Sequence, residues 1–179
     1  MTEIEIKARV GDPDAAERNI ASFASFAGET RKRDTYWAGG NPAIKVRVRE
    51  EGETVTVTYK RKELRGDTEV NDEREFTISD RSAFETFIGD AGFAKASHKE
   101  KNTKRWVIRE GNGGTEIGIE LSLVESLGWF VELEALADDP GEEEIARIRR
   151  ELFSALERCG IEKSAIETRY YTEMLATLQ

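Results

Sequence analysis

Thr2-Glu3-Ile4-Glu5-Ile6-Lys7-Ala8 sets two carboxylates and an amine on alternate positions, with apolar residues between them. Side chains at i, i+2 and i+4 of a β-strand share one face, so the stretch reads as a strand with a charged side and an apolar side. The same parity returns along the chain. Apolar faces run Ile44/Val46/Val48, Val55/Val57/Tyr59, Phe76/Ile78, Ile117/Ile119/Leu121/Leu123 and Val131/Leu133/Ala135. The opposite faces run Lys45/Arg47/Arg49, Thr56/Thr58/Lys60, Glu73/Glu75, Lys99/Lys101/Arg105, Glu116/Glu120/Ser122 and Glu132/Glu134. A half-exposed sheet alternates too, but a solvated face usually mixes signs residue by residue. Here some strands carry almost only carboxylates and others almost only Lys or Arg. A sheet curled into a barrel would turn its apolar faces outward, under helices, and enclose the charged ones. The expectation from the residues is therefore an α+β fold of about eight strands dominated by antiparallel sheet, with the helices on the outside if the sheet curls into a barrel.

The helices announce themselves by caps and stripes. Asp12-Pro13 reads as an N-cap and first helical residue, with Ala16, Ile20, Phe23 and Phe26 continuing a stripe up to Gly28. Asp80 caps a second helix, expected to reach Ala91. Pro140 and Glu142, Glu143 and Glu144 open a third, with Ile145, Ile148, Leu152, Phe153 and Leu156 on its buried side and Cys159 near its end. A last helix is expected over 163–178. Between the strands, turns are expected at 39–42 and 111–114 and a charged loop over 61–72. The whole of 1–179, including a C-terminal helical segment from about 140, reads as a single domain.

Composition narrows the function classes. Charged residues are 35% of the chain, and the net charge of −9 argues against a protein that coats nucleic acid. No apolar run approaches the ~20 residues that span a bilayer, so no membrane partner is expected. The single Cys159 cannot form an internal disulfide, and no secretory leader pattern opens the chain, which makes a reducing cytoplasm the expected location. One His and one Cys rule against a zinc centre. Gly-rich 111–114 lacks the Lys-Ser or Lys-Thr of a phosphate-binding loop and opens a strand. A lumen with several carboxylates and more cations suits a polyanion with a hard divalent metal, Mg²⁺ or Mn²⁺, bridging carboxylate and phosphate oxygens. The implied ligand is a small-molecule triphosphate.

Five segments, in order, carry a family resemblance. Glu3-Ile-Glu-Ile-Lys7 resembles the E-x-E-x-K signature of the CYTH family, the class IV adenylate cyclases and thiamine triphosphatases among the triphosphate tunnel metalloenzymes. Val46-Arg47-Val48-Arg49 is similar to its R-x-R strand, Thr58-Tyr59-Lys60 to its T-x-K strand, and Arg74-Glu75-Phe76 to its R-E strand. Leu127-Gly128-Trp129-Phe130-Val131-Glu132-Leu133-Glu134 is similar to its L-G-x-F-x-E-x-E segment. The resemblance implies an eight-stranded antiparallel β-barrel with helices packed on the outside, and metal ligation by Glu3, Glu5, Glu132 and Glu134, with Glu120 a further candidate. It implies triphosphate contacts from Lys7, Arg47, Arg49 and Lys60. Parity adds Lys99, Lys101 and Arg105 and leaves Lys104 outside unless a bulge shifts the register. Lys45, Glu75 and Ser122 would complete the wall, and Tyr171 would either cap the tunnel or pack in the core. By analogy with the family a homodimer is expected.

Two reactions remain open. Attack of the ATP 3′-hydroxyl on the α-phosphorus yields cyclic AMP and pyrophosphate, whereas attack by water on the terminal phosphorus makes the same tunnel a triphosphatase acting on tripolyphosphate, thiamine triphosphate or a nucleoside triphosphate. The L-G-W-F-V-E-L-E segment favours the cyclase branch. Leu121-Ser122-Leu123-Val124 favours hydrolysis, because cyclase-type relatives commonly carry Asp where Ser122 stands. A non-catalytic nucleotide- or polyphosphate-binding module is the third reading, against which the carboxylate set speaks. His98 reads as a strand-edge residue, and Trp37, Trp106 and Trp129 as packing groups, with Trp37 also able to meet a nucleobase at the mouth.

Overall fold

The computed structural model describes residues 2–39, 45–65, 68–109 and 115–178, without the side chains of 45, 60–65, 69 and 71–73. Its strands are β1 (Thr2–Arg9), β2 (Ser25–Ala38), β3 (Lys45–Glu51), β4 (Thr54–Arg65), β5 (Thr68–Ile78), β6 (Ala94–Ile108), β7 (Ile117–Val124) and β8 (Gly128–Ala137). They close into an antiparallel barrel in the order β1-β5-β4-β3-β2-β6-β7-β8, with β8 returning to β1 through pairs from Thr2↔Ala137 to Arg9↔Phe130. The parity expected from the sequence holds. Ile4, Ile6, Ile119, Leu121, Val131 and Leu133 point outward and are buried, while the charged residues between them face the interior.

Helices cover the outer wall unequally. α1 (Pro13–Ala21) and α3 (Glu142–Arg158) close over β1, β7 and β8, where Ile20, Ile148, Leu152 and Leu156 complete one large apolar cluster. Each such side chain contributes about 1.5–3 kcal/mol when fully withdrawn from water. α2 (Arg81–Asp90) sets Ile88 and Phe84 against Trp37, Val46, Val48 and Val57. Both expected caps form, with Asp12 accepting from the Ala15 amide at 3.0 Å and Asp80 from the Ala83 amide at 2.9 Å. All three tryptophans pack in these clusters, and Cys159 is buried in the first. No helix among the described residues is long and apolar enough to cross a membrane.

Three expectations about the elements need correction. α1 stops at Ala21, and Phe26 lies in β2, because Gly28 is not a helix stop: with φ of 140° it sits at a register shift in the β2/β6 pairing. Of the charged stretch 61–72, residues 61–65 and 68–72 are strand, not loop, since β4 and β5 pair out to Arg65↔Thr68. The expected last helix is broken. After a 3₁₀ turn (Lys163–Ala165) the chain extends, Ile166 bridges to Ala8, the Glu167 amide donates to the Lys7 carbonyl at 2.8 Å, and only Tyr171–Ala176 forms α4. β5 pairs with β1 only as far as Glu5, so backbone groups farther along β1 would otherwise be unpaired; the 166–167 strap takes them. The turn expected at 111–114 and most of that at 39–42 lie outside the described residues.

Candidate functional site

A cavity of about 1140 Å³ runs through the barrel. β1 lines it with Glu3, Glu5 and Lys7, β8 with Glu132 and Glu134, and β7 with Glu120. From the other side come Arg47 and Arg49 of β3, Glu75 of β5, and Lys99, Lys101 and Arg105 of β6. Lys104 points outward to Glu17 of α1 at 2.7 Å, so the β6 register is the one that parity selects. Lys45 and Lys60 pair with each other in the β3/β4 ladder, but their side chains lie outside the described residues.

At the middle of the cavity the charges are locked into two buried assemblies. Asp34 accepts from Arg49 through both oxygens, at 2.7 and 2.9 Å, and from Lys99 at 2.9 Å. Beside it, Glu120 accepts from Lys32 at 2.5 Å and Lys101 at 3.0 Å, and Lys101 reaches on to Glu132 at 2.5 Å. Burial works against ionising each of these carboxylates, yet the cations outweigh it: Lys99 and Arg49 hold Asp34 well below the usual range, and Lys101 does the same for Glu120 and Glu132. Lys32, by contrast, is lowered by burial in spite of Glu120.

Toward the rim the pairs loosen. Arg47 donates to the Thr58 hydroxyl at 2.9 Å and to Glu75 at 3.1 Å, and Arg105 to Glu134 at 3.2 Å. β7 carries Gly118 where this last pair crosses it, and a Cβ there would lie 3.1 Å from both the Arg105 guanidinium and the Glu134 carboxylate. Burial, and then the charges of Glu120 and Glu3, push Glu134 up to about 7. Burial is the larger cause, and the neighbouring carboxylates add to it.

Two expected wall residues land elsewhere or in a mixed role. Ser122 is fully buried, bonded to Thr103 at 2.9 Å, and is not part of the cavity lining. Tyr171 both caps and packs. Its ring meets Phe130 edge-on at 5.0 Å, stands 4.6 Å from the ammonium groups of both Lys7 and Lys99, and borders the cavity. Burial and the facing Glu132 and Glu5 drive its phenol well above its ordinary pKa. Lys7 is held over it by donating to the Arg169 carbonyl at 2.7 Å. His98 is exposed at the cavity edge.

Sequence reading missed the inward face of β2. Lys32 and Tyr36 line the cavity and Asp34 lies behind it, fully buried. The signal was present as Lys32, Asp34 and Tyr36 at alternate positions, but Arg31 and Arg33 on the other face hid the alternation between charged and apolar that marked the other strands.

The donor set for a metal consists of carboxylate oxygens alone, which suits a hard divalent cation. Glu3 and Glu5 face Glu132 and Glu134 across adjacent strands, with Glu5 paired opposite Glu134. Among the described residues no three such groups converge on one point in the present side-chain arrangement, and a hard divalent ion is commonly held by one or two carboxylates with water and phosphate oxygens completing its shell. Both oxygens of Glu120 already serve lysines.

The same architecture and sequence pattern recur in known proteins. A curated relative, "Putative adenylate cyclase" of Methanocaldococcus jannaschii, is 25% identical over 97% of this chain and 98% of its own length. A solved structure from Pyrococcus horikoshii superposes with a TM-score of 0.84 at 22% identity, covering 99% of each chain. A Hippeastrum structure, described as an adenylyl cyclase candidate that reveals a dominant triphosphatase activity, superposes with a TM-score of 0.63 at 16% identity over 99% of this chain and 96% of that one. These two likenesses concern the fold. The CYTH domain pattern itself matches residues 1–171, which takes in every strand of the barrel and the strap that crosses β1, and on that extent the chain belongs to the CYTH family.

Proposed function

We propose that this protein is a divalent-metal-dependent enzyme acting on a triphosphate, with ATP converted to cyclic AMP and pyrophosphate as the leading reaction. The observation that carries the reading is the pairing, in one cavity, of a carboxylate group on β1 and β8 with a larger group of cations on β1, β3 and β6. A pure anion site gains nothing from Glu3, Glu5, Glu132 and Glu134 facing its ligand. Together with a hard cation they form a place where negative oxygen can sit. Mg²⁺ or Mn²⁺ held by these four carboxylates would supply charge neutralisation and polarisation at phosphorus. Arg47, Arg49 and Arg105 offer forked donors for phosphate oxygens, and Lys7, Lys99 and Lys101 offer point charges, with Lys60 assigned to the same group from the sequence. The walls of the tunnel hold the chain of phosphates in line, which is most of what phosphoryl chemistry asks of a protein.

Triphosphate hydrolysis is the second reading, and Ser122 favours it. The position offers no carboxylate to the cavity, and its hydroxyl is turned to Thr103.

Incubation of the purified protein with ATP, and separately with tripolyphosphate, in Mg²⁺ or Mn²⁺, followed by product analysis, separates the readings. Cyclic AMP with pyrophosphate establishes the cyclase. Orthophosphate from tripolyphosphate establishes the hydrolase. Glu5→Gln should abolish either turnover while the protein stays folded; full activity in that variant would remove Glu5 from the ligand set. Absence of product together with no rise in Tm at saturating triphosphate and metal would overturn the reading altogether.

A further inference from the structure

We propose that Asp34 is the positioning residue of this site: from behind the cavity wall its carboxylate fixes Arg49 and Lys99 in the relative placement that the reacting phosphate requires. The inference rests on the triphosphate reading above and concerns how that site is aligned.

The geometry is specific. Asp34 is 0% exposed and is absent from the cavity lining, whereas both cations it holds are part of that lining. It joins three adjacent strands through their side chains, with Asp34↔Arg49 and Asp34↔Lys99 also the directly paired positions of the β2/β3 and β2/β6 ladders. One oxygen takes Arg49 Nε at 2.7 Å. The other takes the second Arg49 nitrogen at 2.9 Å and Lys99 Nζ at 2.9 Å, with the Tyr36 hydroxyl at 3.4 Å. A forked pair fixes the plane of the guanidinium as well as its place. Held in this way, Arg49 keeps its remaining donors for the cavity, and the Lys99 ammonium is fixed on one side while the others stay available.

Two simpler roles fit less well. In this arrangement Asp34 touches neither metal nor phosphate, because the inward-facing side chains around it cover it completely. It cannot serve as a proton carrier either, since Lys99 and Arg49 hold it ionised far below neutrality despite its burial. A purely structural ion pair could stand anywhere in the wall, yet this one ends on two cations that the ligand would meet.

Asp34→Asn keeps the shape and one acceptor but removes the charge and the fork. It also removes a negative charge from beside a polyanion site, so attraction for triphosphate does not fall. The expected result is a split: kcat for the triphosphate that product analysis finds to be turned over lower by on the order of 10²-fold, as for a reacting group misplaced by about 1 Å, with KM and the calorimetric Kd for tripolyphosphate unchanged or tighter. Asp34→Glu should recover part of kcat. Values of kcat within about twofold of wild type in Asp34→Asn overturn the proposal, and so does a Kd that weakens in step with kcat, which marks a role in folding or binding alone. If Asp34→Asn does not fold, Arg49→Lys takes its place. It retains the charge without the fork and should show the same fall in kcat; unimpaired kcat in that folded variant overturns the proposal. A wild-type protein that neither binds nor turns over tripolyphosphate or ATP defeats the triphosphate reading itself, and this inference with it.

Discussion

The middle and the rim of the tunnel are built from the same side chains and follow different physics. At the middle, Asp34, Glu120, Lys99 and Lys101 have side chains no more than 7% exposed, and Asp34 and Glu120 each serve two cations. At the rim, the Arg105 side chain is 44% exposed and Glu75 49%. A buried pair forfeits the hydration of both partners, so it persists only when its hydrogen bonds are nearly complete. An exposed pair gives up little and gains little. On the proposed triphosphate reading, this contrast would divide the labour of the site: the middle would fix geometry, and the rim would keep cations that can exchange a carboxylate for a ligand.

Stability should show the division most strongly. Glu120→Ala leaves Lys32 and Lys101 buried without their shared carboxylate and should cost about 3–5 kcal/mol in urea unfolding. Arg105→Ala, which opens a rim pair, should cost no more than ~1 kcal/mol. Similar losses for the two would erase the distinction between middle and rim. Ligand binding should invert the order of importance. Arg47→Ala should weaken tripolyphosphate binding by about 1.5–3 kcal/mol, the worth of a charge-assisted hydrogen bond, and leave nucleoside binding nearly untouched. Equal loss for both ligands in calorimetry would mean that Arg47 is part of the wall and not of the phosphate site.

How far the sequence foretold this depended on contrast between the two faces of each strand. β1, β3, β7 and β8 alternate charged with apolar residues, so Glu3, Glu5, Lys7, Arg47, Arg49, Glu120, Glu132 and Glu134 could be placed inside by parity alone. For β6 parity favoured Lys99, Lys101 and Arg105 inside but left the register open to a bulge, and the outward Lys104, paired with Glu17 of α1, is what selects it. β2 was not. Its outer face carries Arg31 and Arg33, which pair with Glu100 and Glu50, so charge on both faces concealed Lys32 and Asp34. The broken C-terminal helix was hidden for another reason: Ile166 and Glu167 are extended by unpaired backbone on β1, more than 150 positions away in sequence, and no local propensity reports that.

The strap supplies a test intermediate between middle and rim. Hydrogen bonds from Arg169, and further ones from Arg9, bring Glu167 down to about 2. A carboxylate with a depressed folded-state value stabilises above its unfolded value and loses that contribution as pH falls toward the folded one. Stability should therefore decline between about pH 4.5 and pH 2 with a part that Glu167→Gln removes, worth on the order of 1 kcal/mol for a pair at the surface. An acid limb unaltered in Glu167→Gln would show that Arg9 and Arg169 do not grip the strap in solution.

The smallest effect is expected at Gly118, and its sign is informative. Alanine in a strand is favoured over glycine by roughly 0.5–1 kcal/mol, because the unfolded chain loses fewer conformations. At this position the new methyl would sit 3.1 Å from Arg105 and from Glu134, so the pair must give way by a few tenths of an ångström. If the rim is as loose as its exposure indicates, the long arginine swings aside and Gly118→Ala comes out neutral or slightly stabilising, within about 1 kcal/mol in urea unfolding. A clear destabilisation would mean that Arg105 and Glu134 are held as tightly as the buried middle. In that case the line between the two regions lies farther out along the tunnel, and Arg105 belongs with the residues that fix geometry instead of those that exchange partners.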